Sequence, residues 1–424
     1  MAQADAALAP DMGRPMVTAD GIPLKVSLRR AERRRKINAF LLVVPLLAFI
    51  LLSFVFPIAN MLWRSVDNPA VVTTLPRTVE ALQVWDGTDL PSEEVYAALV
   101  QDLIIAQEER SVGRLAIRLN YEFSGARSTL GRTARQAEDM EAPFRDAVIE
   151  SEDDWGDTEI WRIIQREGKP YTASYYLSAL DLTYSDEGEI VRQDENQRIY
   201  AALFWRTLLL SLVITGLTLL LGFPVAFLLS TLPLRYSNLL MIFVLLPFWT
   251  SLLVRTTAWI VLLQQQGVIN ELLVFVGILG DDNRISMIYN QTGTIIAMTH
   301  ILLPFMVLPL YSVMKGIPPS YVRAARSLGA NPWTAFWKVY FPQTVPGIGA
   351  GAVLVFIISI GYYITPALVG GRSGQMISNL IAYHMQDSLN WGLAAALGSI
   401  LLAGVLVLYW AYNRIVGIDN VKLG

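Results

Sequence analysis

Cutting the chain at every Asp, Glu, Lys and Arg leaves five long uncharged tracts, 37–63, 207–234, 285–314, 339–371 and 388–413. A sixth, 236–270, is interrupted by Arg255 alone. A helix needs roughly 20 mostly apolar residues to cross the hydrocarbon core, and buried core helices of soluble proteins run only about 10–14. Backbone groups cannot stay unpaired in lipid, so these tracts are expected as helices and not as sheet edges. The pattern predicts an all-α polytopic membrane protein with six transmembrane helices. The stretch from Gln264 to Leu279 is too short for a further span and reads as an external amphipathic or re-entrant helix.

The segment 65–197 interrupts this pattern with a soluble character. Residues 92–110 place Val95, Ala98, Leu99, Leu103 and Ile104 at helical spacing behind a capping-box start at Ser92, Glu93 and Glu94. Residues 127–150 also read as helix, and the acid-rich stretch 150–157 reads as a solvated loop. A small, mostly α-helical inserted domain is expected.

Charge then orients the chain. Seven basic residues between Lys25 and Lys36 stand against Glu32 alone, which predicts a cytoplasmic N-terminus. Six spans bring Arg235, the segment 315–338 and the C-terminal tail to the same side. Those segments carry Arg235, Lys315, Arg323, Arg326, Lys338, Arg414 and Lys422 against one acid, Asp419. The insert holds 27 of the chain's 36 acidic residues and 12 basic ones, and falls on the external side. Its acidity fits two readings: avoidance of Lys and Arg with acids for solubility, or steering of a cationic solute or basic partner. The expected organisation is a basic cytoplasmic tail 1–36, a first transmembrane helix 37–64, an external domain 65–197, a membrane core 198–415 with a cytoplasmic loop at 316–347, and a cytoplasmic tail 416–424.

Composition narrows the chemistry. With 54% hydrophobic and 16% charged residues, the chain does not suit a water-soluble globule of 424 residues. The first tract is too long for a signal-peptide core and reads as a retained helix. There is no cysteine, which excludes disulfides and thiolate metal sites. The two histidines, His300 and His384, are far apart and read as hydrogen-bonded structural residues rather than metal ligands. The spans show no paired carboxylates and no nucleophile–base set, so enzymatic chemistry is not supported.

The most informative segment joins the fourth and fifth tracts: Ile317-Pro318-Pro319-Ser320-Tyr321-Val322-Arg323-Ala324-Ala325-Arg326-Ser327-Leu328-Gly329-Ala330-Asn331-Pro332-Trp333. Pro318 and Pro319 end one helix and let Ser320 cap the next. A short helix runs to Leu328, and Gly329 supplies the left-handed residue that stops it. Pro332 opens a second short helix, which Pro342 and Pro346 close. The expected result is a helix–turn–helix on the membrane surface, without acids, able to dock into a groove on another protein.

Paired alanines, three residues, a glycine, and a later Pro-Gly at Pro346-Gly347 resemble the signature loop of bacterial binding-protein-dependent importer permeases. Leu246-Pro247-Phe248-Trp249-Thr250 with Val254-Arg255-Thr256, Ile364-Thr365-Pro366-Ala367-Leu368-Val369-Gly370-Gly371, and Asn390-Trp391-Gly392 are similar to the spermidine/putrescine branch of that family. The resemblance covers roughly 37–64 and 198–415 and leaves out the insert.

It implies type I ATP-binding-cassette importer architecture, in a multi-pass protein of the bacterial inner membrane. It also implies that the loop couples to an ATP-binding subunit through Tyr321, Arg323, Ala324, Ala325, Ser327, Leu328, Gly329, Ala330 and Trp333. One departure is Arg323, where the family commonly has Glu, so a Glu-dependent contact is absent or replaced. The implied partners are two ATP-binding subunits, a second permease chain, a periplasmic solute-binding protein and membrane lipid, with no nucleic acid. No Gly-x4-Gly-Lys-Ser/Thr loop occurs, so ATP and Mg belong to the partner and this chain is expected to hold no cofactor. The resemblance implies a polyamine or a related charged metabolite as solute.

Two rival classes fit less well. A membrane sensor needs a cytoplasmic output domain, and the internal loops here are short. An ion-coupled carrier should show intramembrane acids, and only the marginal Glu271 approaches one.

Four residues are candidates for the solute path. An arginine at the depth of Arg255 costs at least about 2.5 kcal/mol unless it faces protein or water, so it reads either as a gate or as a partner of backbone carbonyls. Ser359, Tyr362 and Tyr363 are expected on one face of the fifth span, just before a break at Pro366. They fit either binding of a cationic solute or an interfacial aromatic belt.

Overall fold

The structure, a computed structural model, describes residues 24–185 and 188–416. The tails 1–23 and 417–424, with Asp419 and Lys422, lie outside the described residues. Among those described, six helical segments are long and apolar enough to cross a membrane: Ala31–Arg64, Tyr200–Thr231, Leu252–Phe275 (interrupted at 264–267), Gln291–Gly316, Pro332–Gly361 and Trp391–Arg414.

The chain starts with α1 (Leu24–Ile50), a π-helical turn at Leu51–Val55, and α2 (Phe56–Arg64). The described part of the expected tail, 24–36, is therefore helix continuous with the span. The π turn sits directly before Phe56-Pro57, and the Phe56 N–H reaches back to the Leu51 carbonyl. Proline has no N–H and crowds the carbonyl four residues back, and a local π turn lets a membrane helix continue through it. Among the described residues, those up to Met61 form one compact unit and those from Leu62 onward form a second.

The insert contains α3 (Pro69–Thr74), α4 (Pro76–Leu82), α5 (Glu93–Glu108), α6 (Val112–Asn120), α7 (Ala126–Gln136), α8 (Phe144–Ser151), α9 (Thr158–Glu167) and α10 (Ser174–Ala179). A two-stranded antiparallel hairpin follows, β1 (Leu182–Tyr184) with β2 (Ile190–Arg192), Thr183 opposite Val191. Its core gathers Leu99, Leu103, Leu115, Leu130 and Ile164 around Tyr96, Trp155 and Trp161. The Tyr96 and Trp161 rings meet edge-on at 4.7 Å.

Three local expectations change here. Ser92 sits at the start of α5 but makes no capping bond; the Glu93 carboxylate instead accepts the Phe144 and Arg145 N–H groups that open α8. The helix expected over 127–150 is interrupted between α7 and α8, where Pro143 stands. The acid-rich stretch is no simple loop. It contains a 3-10 turn at Asp153–Gly156 and buries Trp155 completely, its Nε1 donating to Thr133 Oγ1 at 2.8 Å.

The core of the second unit continues with α11 (Tyr200–Thr231), α12 (Leu234–Trp249), α13 (Leu252–Leu263), α14 (Val268–Phe275), α15 (Gln291–Gly316), α16 (Pro319–Ser327) and α17 (Pro332–Ala335). After a second π turn at Phe336–Tyr340 come α18 (Phe341–Gly361), α19 (Ile364–Val369), α20 (Gly371–Gly374), α21 (Ile377–Gln386) and α22 (Trp391–Val416). Helices α11, α15 and α18 form the centre, packed through Ile214, Met298, Leu302, Met306, Leu310 and Val355. The tract 236–270 is not one helix. It breaks at Thr250 and Ser251, both extended, between α12 and α13.

Candidate functional site

The loop after α15 is built by its prolines and one glycine. Pro318 is the N-cap of α16 and Pro319 its first residue. Ser320 is therefore inside the helix, not its cap, because proline's fixed φ and missing N–H suit the first helical position. At the other end the Ala330 N–H bonds the Ala325 carbonyl at 3.1 Å and the Gly329 N–H bonds that of Arg326 at 3.0 Å. This double closure is a Schellman motif, and it needs the left-handed φ of +92° at Gly329. Asn331 then caps the next helix, its side chain accepting the Thr334 N–H at 2.7 Å.

That next helix does not close at Pro342 or Pro346. It runs from Pro332 through the π turn into α18, so the second arm of the loop and the fifth span are one rod. The π turn again precedes a Phe-Pro pair, Phe341-Pro342, with the Phe341 N–H on the Phe336 carbonyl. Phe336 and Tyr340 meet Phe227 of α11 at 6.1 and 5.4 Å. The rod is thereby keyed to the second span.

Tyr321, Arg323, Ala324, Ser327, Leu328, Gly329 and Trp333 are exposed, while Ala325 and Ala330 are half-buried. Leu328 is 90% and Trp333 72% exposed, an apolar face held out on a rigid turn. Val322, one position before Arg323, turns inward onto the core of α11, α15 and α18.

Arg255 lies in the first turn of α13. Its guanidinium donates to the carbonyls of Pro247 and Thr250, the latter at 2.9 Å, and its Nε to Thr250 Oγ1 at 3.2 Å. These are groups that the end of α12 leaves open, and a cation at a helix C-terminus is favourable. One turn on, Trp259 Nε1 donates to His300 Nδ1 at 3.2 Å. His384 contacts the Tyr200 hydroxyl at 3.1 Å and Ser388 Oγ at 2.9 Å.

The expected shared face of Ser359, Tyr362 and Tyr363 is not formed. Helix α18 stops at Gly361, and Tyr362 is extended. Pro366 cannot receive the carbonyl four residues before it, that of Tyr362, so the break comes a full turn ahead of the proline. The freed carbonyl of Tyr362 accepts instead from Ser378 Oγ of α21 (2.9 Å), and that of Tyr363, which takes the Ala367 N–H at 3.0 Å, also accepts from Asn379 Nδ2 (2.7 Å). Ser359 is fully buried, and its hydroxyl has no partner among the described residues.

Sequence reasoning missed Asp181. Its carboxylate accepts the N–H groups of Ile199, Tyr200 and Ala201 at 3.0, 2.9 and 2.8 Å, capping α11 from the end of the insert. Its distance along the chain from α11 hides it from local capping rules. Among the described residues no group of His, Asp or Glu side chains could hold a metal ion.

The family model for "binding-protein-dependent transport system inner membrane component" matches residues 199–416. The spermidine/putrescine transport system permease protein PotB of Haemophilus influenzae is 36% identical over 220 residues, covering 51% of this chain and 76% of that protein. PotB of Escherichia coli K12 is 33% identical over 229 residues, covering 52% and 82%. A bacterial ABC transporter involved in the import of alginate superposes with a TM-score of 0.43 at 21% identity, over 54% of this chain and 82% of that one. The insert 65–197 lies outside the residues that the family model matches.

Proposed function

The chain belongs to the family of binding-protein-dependent transport system inner membrane components, and from that premise we propose that it carries a polyamine, or a closely related cationic solute, into the cell. It is the permease subunit of an ATP-binding-cassette importer, a multi-pass inner-membrane protein and not an enzyme. The observation that carries the solute assignment is the 33–36% identity to spermidine/putrescine permeases.

In this reading both termini and the loop 316–347 face the cytoplasm, and the insert faces outward. Two ATP-binding subunits seat on the loop, with Leu328 and Trp333 as apolar anchors and Arg323 and Arg326 as the charges that meet an acidic groove rim. ATP binding closes those subunits, and the displacement enters the fifth span directly, because loop and span share one helix. The spans then open outward to take solute from a periplasmic binding protein, which the insert helps to receive. A second permease chain completes the path, and hydrolysis resets the inward state. Arg255 holds the α12–α13 break, so its part is to keep a bent helix in register rather than to touch a cation.

Titration of the system's solute-binding protein with spermidine and putrescine tests the assignment. Binding of either at micromolar concentration or tighter is expected. Failure to bind both, with tight binding of an uncharged solute, overturns the polyamine reading and leaves the importer in place.

A further inference from the structure

The insert does not hang from the membrane core by its two chain connections alone. Helix α10 lies against the start of α22. The Tyr175 ring covers Gly392 so closely that a Cβ added there would stand 2.4 Å from the ring carbons. On the same ring rests the Arg118 guanidinium, 4.9 Å from the centroid. Arg118 is in turn fixed inside the insert by Glu167 and by Asn68, whose Oδ1 accepts from Nε at 2.8 Å. The neighbouring Tyr176 hydroxyl meets Ser399 Oγ of α22 and Ser65 Oγ, each at 2.9 Å. Ala179 closes the joint, buried with Leu393, Ala396 and Leu397. The third tie is the Asp181 carboxylate on the N-terminus of α11.

We propose that α10 and Asp181 form a rigid seat joining the insert to the second and last spans. A force applied to the insert by the solute-binding protein is then transmitted to those spans, and Tyr175 and Asp181 are its positioning residues. The proposal rests on the importer reading above. Every side chain in the joint is fixed by a second contact: Tyr175 between a glycine backbone and a paired guanidinium, Tyr176 between two hydroxyls, and Asp181 on three backbone donors. Packed cores and interfaces of this kind deform little, so displacement on one side appears on the other. A flexible tether would need none of these contacts.

The test uses the full complex in nanodiscs. Gly392→Val drives the Tyr175 ring off its seat. Assembly and solute-independent ATP hydrolysis should persist, while stimulation by spermidine-loaded binding protein should fall about tenfold, within the usual range of a coupling between sites. Tyr175→Ala, which removes the ring and leaves Gly392 and the start of α22 intact, should give the same loss, which a general defect of Gly392→Val at the start of α22 would not produce. Asp181→Ala should give the same loss of stimulation without a change in the membrane core. Full stimulation in Gly392→Val and Asp181→Ala, or in Tyr175→Ala, overturns the proposal.

A second readout is independent of what the complex imports. The chain has no cysteine, so nitroxides can be placed cleanly at Arg127 and Leu406, both exposed. Their distance distribution should be single and narrow in the parent, broad in Gly392→Val, and broad again in Tyr175→Ala. An unchanged narrow distribution in Gly392→Val overturns the seat even if import fails for other reasons.

Discussion

Replacing Glu167 by alanine removes one half of a charge pair that has almost no access to water. Glu167 is fully buried and Arg118 is 3% exposed. The carboxylate accepts from Arg118, from Asn68 Nδ2 at 3.1 Å, from Arg166 Nε at 3.1 Å and from Ser174 Oγ at 2.7 Å. Breaking a buried pair by deleting one partner costs about 3–5 kcal/mol, because the other charge is left uncompensated. Arg118 keeps Glu122 at 3.0 Å and the Asn68 oxygen, which places the loss at the lower end, about 3 kcal/mol.

At 1.36 kcal/mol per tenfold, that is a roughly hundredfold larger equilibrium constant for the opening of α9 and α10. Hydrogen exchange of those amides in purified protein measures it directly. The pH dependence gives a second check. Burial raises the Glu167 pKa, but the Arg118 charge, the Ser174 hydrogen bond and Arg166 outweigh it and hold the group below its ordinary 4.5. A depressed carboxylate pKa contributes stability that is complete above the unfolded value and is lost as pH falls through the folded one. Protection of α9 and α10, corrected for intrinsic exchange, should therefore hold from pH 7 to about 5 and fall in stronger acid. The alanine variant should lack this glutamate's share of the fall. A change in opening of less than about threefold would refute the uncompensated-charge reasoning.

Three further outcomes follow from the site. Gly329→Val forces a β-branched residue to φ +92°, so the Schellman turn should be lost; transport should disappear while insertion persists, and normal ATPase stimulation would argue against docking by this loop. Arg255→Ala opens the Thr250 carbonyl and leaves that of Pro247 with the Thr250 hydroxyl alone, and should lower thermal stability with the ratio of transport to hydrolysis unchanged; Arg255→Lys, which keeps the charge but loses the planar fork, should recover part of the stability, and uncoupled hydrolysis in Arg255→Ala would instead make this residue a gate. Cysteines introduced at Glu150 and Ala330 should label from outside and inside respectively; the reverse pattern, or labelling from one side only, ends the proposed orientation.

The spans were legible because lipid permits so few solutions: a long uncharged tract is a helix whatever surrounds it. The breaks inside them were not, since cutting at charges reads composition and is blind to backbone. The sequence shows Pro366, but the break it forces lies at Tyr362, where Ser378 of α21 supplies the replacement donor. The turn at Gly329 was legible because one residue type suits that φ. The continuity of loop and fifth span was hidden, because prolines that end a helix in water are carried through by a π turn in the membrane. In the insert, helical periodicity located α5, but the acid-rich stretch concealed Trp155, whose burial depends on Tyr96 and Trp161 from other elements. The seat of α10 on Gly392 joins residues too far apart in sequence for any local pattern to register.

The most direct test of the account is uptake by the reconstituted complex. Proteoliposomes holding this chain, its partner permease and the ATP-binding subunits, with ATP inside and loaded binding protein outside, should accumulate labelled spermidine or putrescine. Accumulation should vanish when the phosphate-binding lysine of the ATP-binding subunit is replaced, and should be unaffected by collapsing ion gradients. Uptake that persists without hydrolysis and stops when the gradients collapse would contradict the account.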